Sequence, residues 1–194
     1  MNKKSNTTNV LQILPFAYGL MLLVIVVLPF FSVPEYDILK NTTSHLGAQS
    51  APYAWVMNFT FILLGLGAII DGWRFLGKFW FHKIAILVFG ISLMLCAFFQ
   101  HAPIVKIPFD PFEDQLHSWF ATITGFSFTV FAISMSFILG QRTAKALAVL
   151  VGVLVTILSM LMFEVEQYMG IWQRIIFIMS FGWMIYIFNK AELQ

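Results

Sequence analysis

The chain has 194 residues, of which 60% are hydrophobic, 17% aromatic and only 10% charged; its mean hydropathy is +0.86 and its formal net charge +2. A soluble domain covers its surface with about 25% charged residues, so a water-soluble fold is excluded. The single cysteine, Cys96, rules out an intrachain disulfide scaffold, and no basic block is long enough for nucleic acid. A multi-span membrane protein remains.

A helix crossing about 30 Å of hydrocarbon needs about 20 apolar residues. Six stretches meet or approach this, at residues 13–31, 53–70, 79–99, 119–140, 146–163 and 171–188. Their apolar runs are continuous rather than alternating, which selects helices over barrel strands. The first run follows Lys3 and Lys4 as a secretory signal would. It is long, however, and Phe31, Ser32, Val33 and Pro34 offer no small-x-small cleavage site, so a retained helix is expected. In the second run, Asn58 and Thr60 are expected to hydrogen-bond between helices, while Gly65 and Gly67 allow close packing. The third has His82 and Lys83 at its mouth and a buried, inert Cys96. The sixth has Gln173 and Arg174 near its start. The expected fold is all-α: one domain over residues 1–194, a bundle of six transmembrane helices.

Lysine and arginine gather on the cytoplasmic side of membrane proteins. With the N-terminus inside, Lys3, Lys4, Arg74, Lys78, Lys83, Arg142, Lys145 and Lys190 are cytoplasmic, against Lys40, Lys106 and Arg174 outside. An even number of spans returns the C-terminus to the cytoplasm. The expected location is the cytoplasmic membrane, with both termini inside. The inner turns are short, whereas residues 32–52 and 100–118 form longer outer connections that hold most of the prolines. Connections of that length carry function or are disordered.

Three of the four histidines fall on this outer side: His45, His101 and His117. Near them in sequence are Ser44, Asp110, Glu113 and Asp114, with Glu164, Glu166 and Arg174 in the last connection. Histidine and carboxylate together bind zinc or perform acid–base chemistry, and an adjacent serine can act as a nucleophile. No HExxH or HxxxH pair is present to place two metal ligands on one helix face. The same residues also serve as the polar groups that a membrane interface requires. Seven residues separate Asp110 from His117, and the connection is expected to fold back at Pro111 to bring them together. Arg174 is expected to pair with an outer acid, Glu164, Glu166 or Asp110, or to snorkel to headgroups, because a bare charge in hydrocarbon is costly.

Ser44-His45-Leu46-Gly47, followed by Ala51-Pro52, Trp55 and Asn58, resembles the S-x-L-G … P … N stretch of domain-of-unknown-function family 998, a group of small six-helix prokaryotic membrane proteins. Pro108-Phe109-Asp110 followed by His117 resembles that family's F-P-x-D … H segment, with Ile107 where phenylalanine is commoner. The resemblance implies a fold more than a function; its motif falls here on Ser44, Asp110 and His117. A more distant similarity is to membrane hydrolases such as alkaline ceramidases, which use Ser, Asp and His with zinc. This chain lacks their paired histidines and has six spans instead of seven.

Three functional readings follow. The first is a membrane protein that binds a lipid or a membrane-protein partner at its outer mouth through residues such as His45, His101, Arg174 and Glu164. The second is an outer-face hydrolase of a lipid ester or amide, with Ser44, Asp110 and His117 as the catalytic set and zinc as an optional cofactor held by His45, His101, His117 or Asp110. The third is a small transporter, disfavoured because no span centre carries an ionisable residue.

Overall fold

The computed structural model describes residues 12–194, so Lys3 and Lys4 lie outside the described residues. Helix α1 (Ile13–Val27) continues into a 3-10 turn (Leu28–Phe31). A single-turn helix, α2 (Thr43–Leu46), sits within the first long connection. Then come α3 (Ala54–Phe75), α4 (Trp80–Phe98), α5 (Pro111–Met135) and α6 (Arg142–Glu164). A short 3-10 turn (Glu166–Tyr168) leads into α7 (Met169–Lys190). Among the described residues, six of these segments are long and apolar enough to cross a membrane. The fold is an all-α membrane bundle.

Long helices adjacent in sequence pack against each other, and α1 meets α7, so the six close into a ring. The path alternates direction at each connection. One end of the bundle, the turn end, carries the short α3–α4 and α5–α6 turns. The other, the loop end, carries residues 32–53, residues 99–110 and the α6–α7 junction. Phe61, Phe128, Phe131, Phe181, Met21 and Met57 fill the interior. Phe16, Phe30, Trp55, Phe126, Phe137 and Phe163 stand exposed on the perimeter, where lipid is the solvent.

Lipid tails are as apolar as leucine, so helices associate in a bilayer through close packing. Gly65 and Gly90 show this for α3 and α4: a Cβ on Gly65 would lie 2.5 Å from the Gly90 carbonyl oxygen, and one on Gly90 2.7 Å from that of Gly65. Gly67 does the same against α1, where a Cβ would come within 2.8 Å of Leu14 Cα. Just below that crossing, the buried Asp71 carboxylate accepts from Leu14 N at 2.8 Å. It satisfies one of the free N–H groups that every helix start exposes, where α1 has no side-chain cap of its own.

Several expected boundaries move. Helix α3 runs to Phe75, five residues beyond the expected end, and so takes Asp71 and Arg74 into the helix. The larger difference is α5, which begins at Pro111 rather than near residue 119 and ends at Met135 rather than 140. Its start signals are local. Pro111 at the first helical position needs no N–H partner. The Asp110 carboxylate accepts from Phe112 N at 2.9 Å and Glu113 N at 3.3 Å, and Glu113 and Asp114 favour the positive helix end. The expected fold-back at Pro111 is therefore absent: Asp110 caps the helix on which His117 rides. Asn58 and Thr60 also differ from expectation. Asn58 Nδ2 donates to the Gly47 carbonyl in the loop at 3.1 Å, and Thr60 bonds back to Val56 O of its own helix at 2.8 Å.

Candidate functional site

Three connections meet at the loop end. Gln49 joins two of them. Its backbone N donates to His101 O at 2.9 Å, its Nε2 to Gln100 O and Asp110 O at 3.1 and 3.0 Å, and its Oε1 accepts from Asp110 N at 2.7 Å. Glu113 adds a bond from Gln100 N at 2.9 Å, and Asp114 Oδ1 accepts from Ala102 N at 2.7 Å. The first turn of α5 thus holds the preceding connection by its backbone.

On this frame the three histidines stack. The rings of His45 and His101 lie 4.6 Å apart between centroids, tilted by 45°; those of His101 and His117 lie 5.1 Å apart and nearly parallel. Each ring's Nδ1 is committed. In His45 it accepts from Thr42 N at 3.1 Å, closing a reciprocal cap at the start of α2. In His101 it faces the Asp114 carboxylate. In His117, buried under the end of α4, it donates to the carbonyls of Cys96 and Phe99 at 3.0 and 2.8 Å.

The partners fix the tautomers. A backbone N–H only donates, so with Thr42 N aimed at it His45 Nδ1 is bare, the Thr42 hydroxyl 2.8 Å away acts as a second donor to it, and the ring proton sits on Nε2. Carbonyls only accept, so His117 carries its proton on Nδ1 and presents a bare Nε2. His101, aimed at a carboxylate, does the same when neutral. The stack therefore offers one Nε2–H donor and two Nε2 acceptors, none of which has a partner among the described residues. Burial, with His101 and then His117 adding repulsion, lowers the His45 pKa from 6.5 to about 3, against a smaller opposing pull from Asp114.

Two hollows lie at the loop end, and the first touches the stack through His45. The first, very small, is lined by His45 with Ser32, Gln49, Ser50, Pro103 and Ile104, among others. The second is an open groove on the lipid-facing side, lined by Leu28, Phe31, Tyr53 and Val56. Residues 50–53 pass between them. Within these four residues, Ser50 (φ 59°) and Tyr53 (φ 55°) both adopt the left-handed backbone region. Side chains there cost on the order of 1 kcal/mol each, and such strain clusters at binding sites.

None of the other expected site residues bonds to a stacked ring among the described residues. Ser44 is buried in α2 beside His45, but its hydroxyl has no hydrogen-bond partner among the described residues. Asp110 is exposed and spent on capping. Glu164, at the end of α6, is exposed and unbonded among the described residues.

Arg174 is buried, and the expected carboxylate is not its partner. One terminal nitrogen donates to Ile38 O, Asn41 O and Gly170 O at 3.0, 3.0 and 2.8 Å, and the other to the Tyr36 hydroxyl at 2.6 Å. Backbone dipoles thus hold the charge, and through it α7 holds the first connection. Burial pushes the Tyr36 hydroxyl pKa up while Arg174 pulls it down. Gln173 adds bonds from Thr43 N and Oγ1 at 2.7 and 2.6 Å. Sequence reasoning missed Gln49 and Tyr36 because polar residues in loops carry no periodic signal, and it noted Gln173, near the start of α7, without a role. Asp114 was noticed only as a neighbour, though it lies one helical turn before His117.

Zinc does not fit these residues. A zinc site aims three or four bare donors at one point, whereas His45 presents a protonated nitrogen and His101 and His117 lie face to face. Among the described residues, no group of three or more His, Cys, Asp or Glu is disposed to hold a metal ion.

Fold and site together define a multi-pass helical membrane protein with a polar cluster at one end. The family model described as "Protein of unknown function (DUF998)" matches residues 16–188, and the chain belongs to that family. No curated protein and no solved structure matches it.

Proposed function

We propose that the loop end binds an amphiphile from the adjoining leaflet, its polar head read by the histidines and its chain lying along Leu28, Phe31, Tyr53 and Val56. The observation that carries this reading is that three imidazoles, from three separate parts of the chain, are each anchored at Nδ1 and leave Nε2 without a partner among the described residues. A stack required only for packing would need no nitrogens. One donor and two acceptors suit a head that both gives and takes hydrogen bonds, such as a hydroxyl or an amide. With the basic turn end in the cytoplasm, this site faces outward from the cytoplasmic membrane.

Purification in mild detergent, followed by mass spectrometry of the retained lipids, tests it. The wild type is expected to enrich one lipid class. His101→Phe, which keeps the stack but removes the nitrogens, and Val56→Trp, which fills the groove, are each expected to lose it. An identical lipid profile in all three proteins would refute the reading.

One observation favours a second reading, a lipid ester or amide hydrolase. Asp114 orients His101 as a carboxylate orients a general base. The base would be His101 acting on water, not Ser44 as a nucleophile. Free fatty acid released from the retained lipid by the wild type, but not by Asp114→Asn, marks it.

A further inference from the structure

At the turn end, Lys83 sits in the first turn of α4 with only 8% of its surface exposed. Its ammonium lies 4.8 Å from the ring centroid of Trp73 and 5.0 Å from that of Trp80. The two indoles meet edge to face at 5.9 Å. They are 38% and 64% exposed and so stand on the perimeter, where lipid headgroups begin. Lys83 makes no ion pair with a carboxylate among the described residues. Asp71, close by in sequence, is engaged with Leu14 N and Arg74. The adjacent His82 is buried too, with neither ring nitrogen bonded. Lys78, exposed in the α3–α4 turn with its ammonium 5.7 Å from the Phe79 ring centroid, adds a second cation.

Indole faces stabilise an ammonium but do not neutralise it. A charge this buried, with π-faces and no anion, is half of an ion-binding site. We propose that this corner binds the headgroup phosphate of an anionic phospholipid, with Lys83 as the primary cation, Lys78 as the second, and Trp73 and Trp80 as the walls. The indole faces also decide selectivity. A choline headgroup would need aromatic faces for its own ammonium, and Lys83 already occupies them. The site therefore favours a net anionic head over a zwitterionic one. Basic residues at a membrane face attract anionic lipid in general; the caged Lys83 turns that attraction into a defined position. This site is independent of the loop-end reading and lies at the opposite end of the bundle.

The test is thermal unfolding of the detergent-solubilised protein with added phosphatidylglycerol, phosphatidylcholine or inorganic phosphate. At about tenfold excess over Kd, phosphatidylglycerol is expected to raise the midpoint by about 4 °C, and the other two to leave it unchanged. Lys83→Met is expected to lose the shift, and Lys83→Arg to keep most of it. Equal shifts with phosphatidylcholine, or a shift with inorganic phosphate alone, overturn the proposal on the wild type whatever the variants do. A full phosphatidylglycerol shift in folded Lys83→Met also overturns it.

Discussion

Replacing Arg174 with methionine tests how far its guanidinium holds the first connection on α7. The change keeps an apolar stem and removes four hydrogen bonds from a charged donor. At the low end of about 1.5 kcal/mol each, their loss costs about 6 kcal/mol. Two effects return part of this. Asn41 O still accepts from the Tyr36 hydroxyl, and a buried charge without a counter-ion no longer has to be desolvated, which is worth several kcal/mol. The net loss is about 3 kcal/mol, or about 9 °C in the unfolding midpoint for a chain of this size. Circular dichroism during heating in detergent measures it. Limited proteolysis then reports whether residues 32–42 become cleavable, as an undocked connection requires. Arg174→Lys, which keeps the charge but not the fork of donors, is expected to lose about half as much. A midpoint within about 2 °C of wild type for Arg174→Met, with no new cleavage, would refute the reasoning.

Two further outcomes follow. Because His45 is held neutral with its pKa lowered to about 3, the unfolded chain binds an extra proton between about pH 6.5 and 3, so stability falls as pH drops through that window, by about 1.4 kcal/mol per unit at most. His45→Gln, which can still accept from Thr42 N, is expected to flatten that limb of the midpoint-against-pH curve, and an unchanged slope would place the acid sensitivity elsewhere. Gly67→Ala pushes a Cβ to within 2.8 Å of Leu14 Cα and 2.9 Å of Leu14 N, backbone atoms that cannot swing aside. It should cost about 2 kcal/mol by the same melting assay, whereas Gly19→Ala, with nothing within 4 Å, should cost nothing.

The spans were legible because hydrophobic length is dictated by the bilayer, and the roles of Gly65 and Gly67 because close helix contact needs small residues. The start of α5 was legible in principle. Asp110, Pro111, Glu113 and Asp114 form a helix-entry signal, but a search for apolar runs passes over it because its residues are polar. That oversight put His117 in a loop and suggested a pairing with Asp110, when the carboxylate facing a histidine is Asp114. The meeting of His45 with His101 had no local signature, since it depends on Gln49 fastening two connections distant in sequence. Arg174 was singled out as a charge too costly to leave bare in hydrocarbon. Its partners were misjudged because carbonyl groups, present at every residue, leave no mark in a sequence.

The ring closure sets an order of assembly. Each long helix packs beside its neighbours in sequence, contacts that form early because little chain need be closed. The junction of α1 with α7 is different: Tyr18 reaches Ile178 O across 160 residues. The first connection waits as well, since Arg174, Gln173 and Gly170, where a Cβ would come within 2.4 Å of Ile38 O, all belong to α7. A nascent chain that has inserted five helices already holds all three histidines, yet the segment carrying His45 lacks its anchor. Completion of the loop end and completion of the ring are therefore one event, and the last helix acts as a checkpoint for the site.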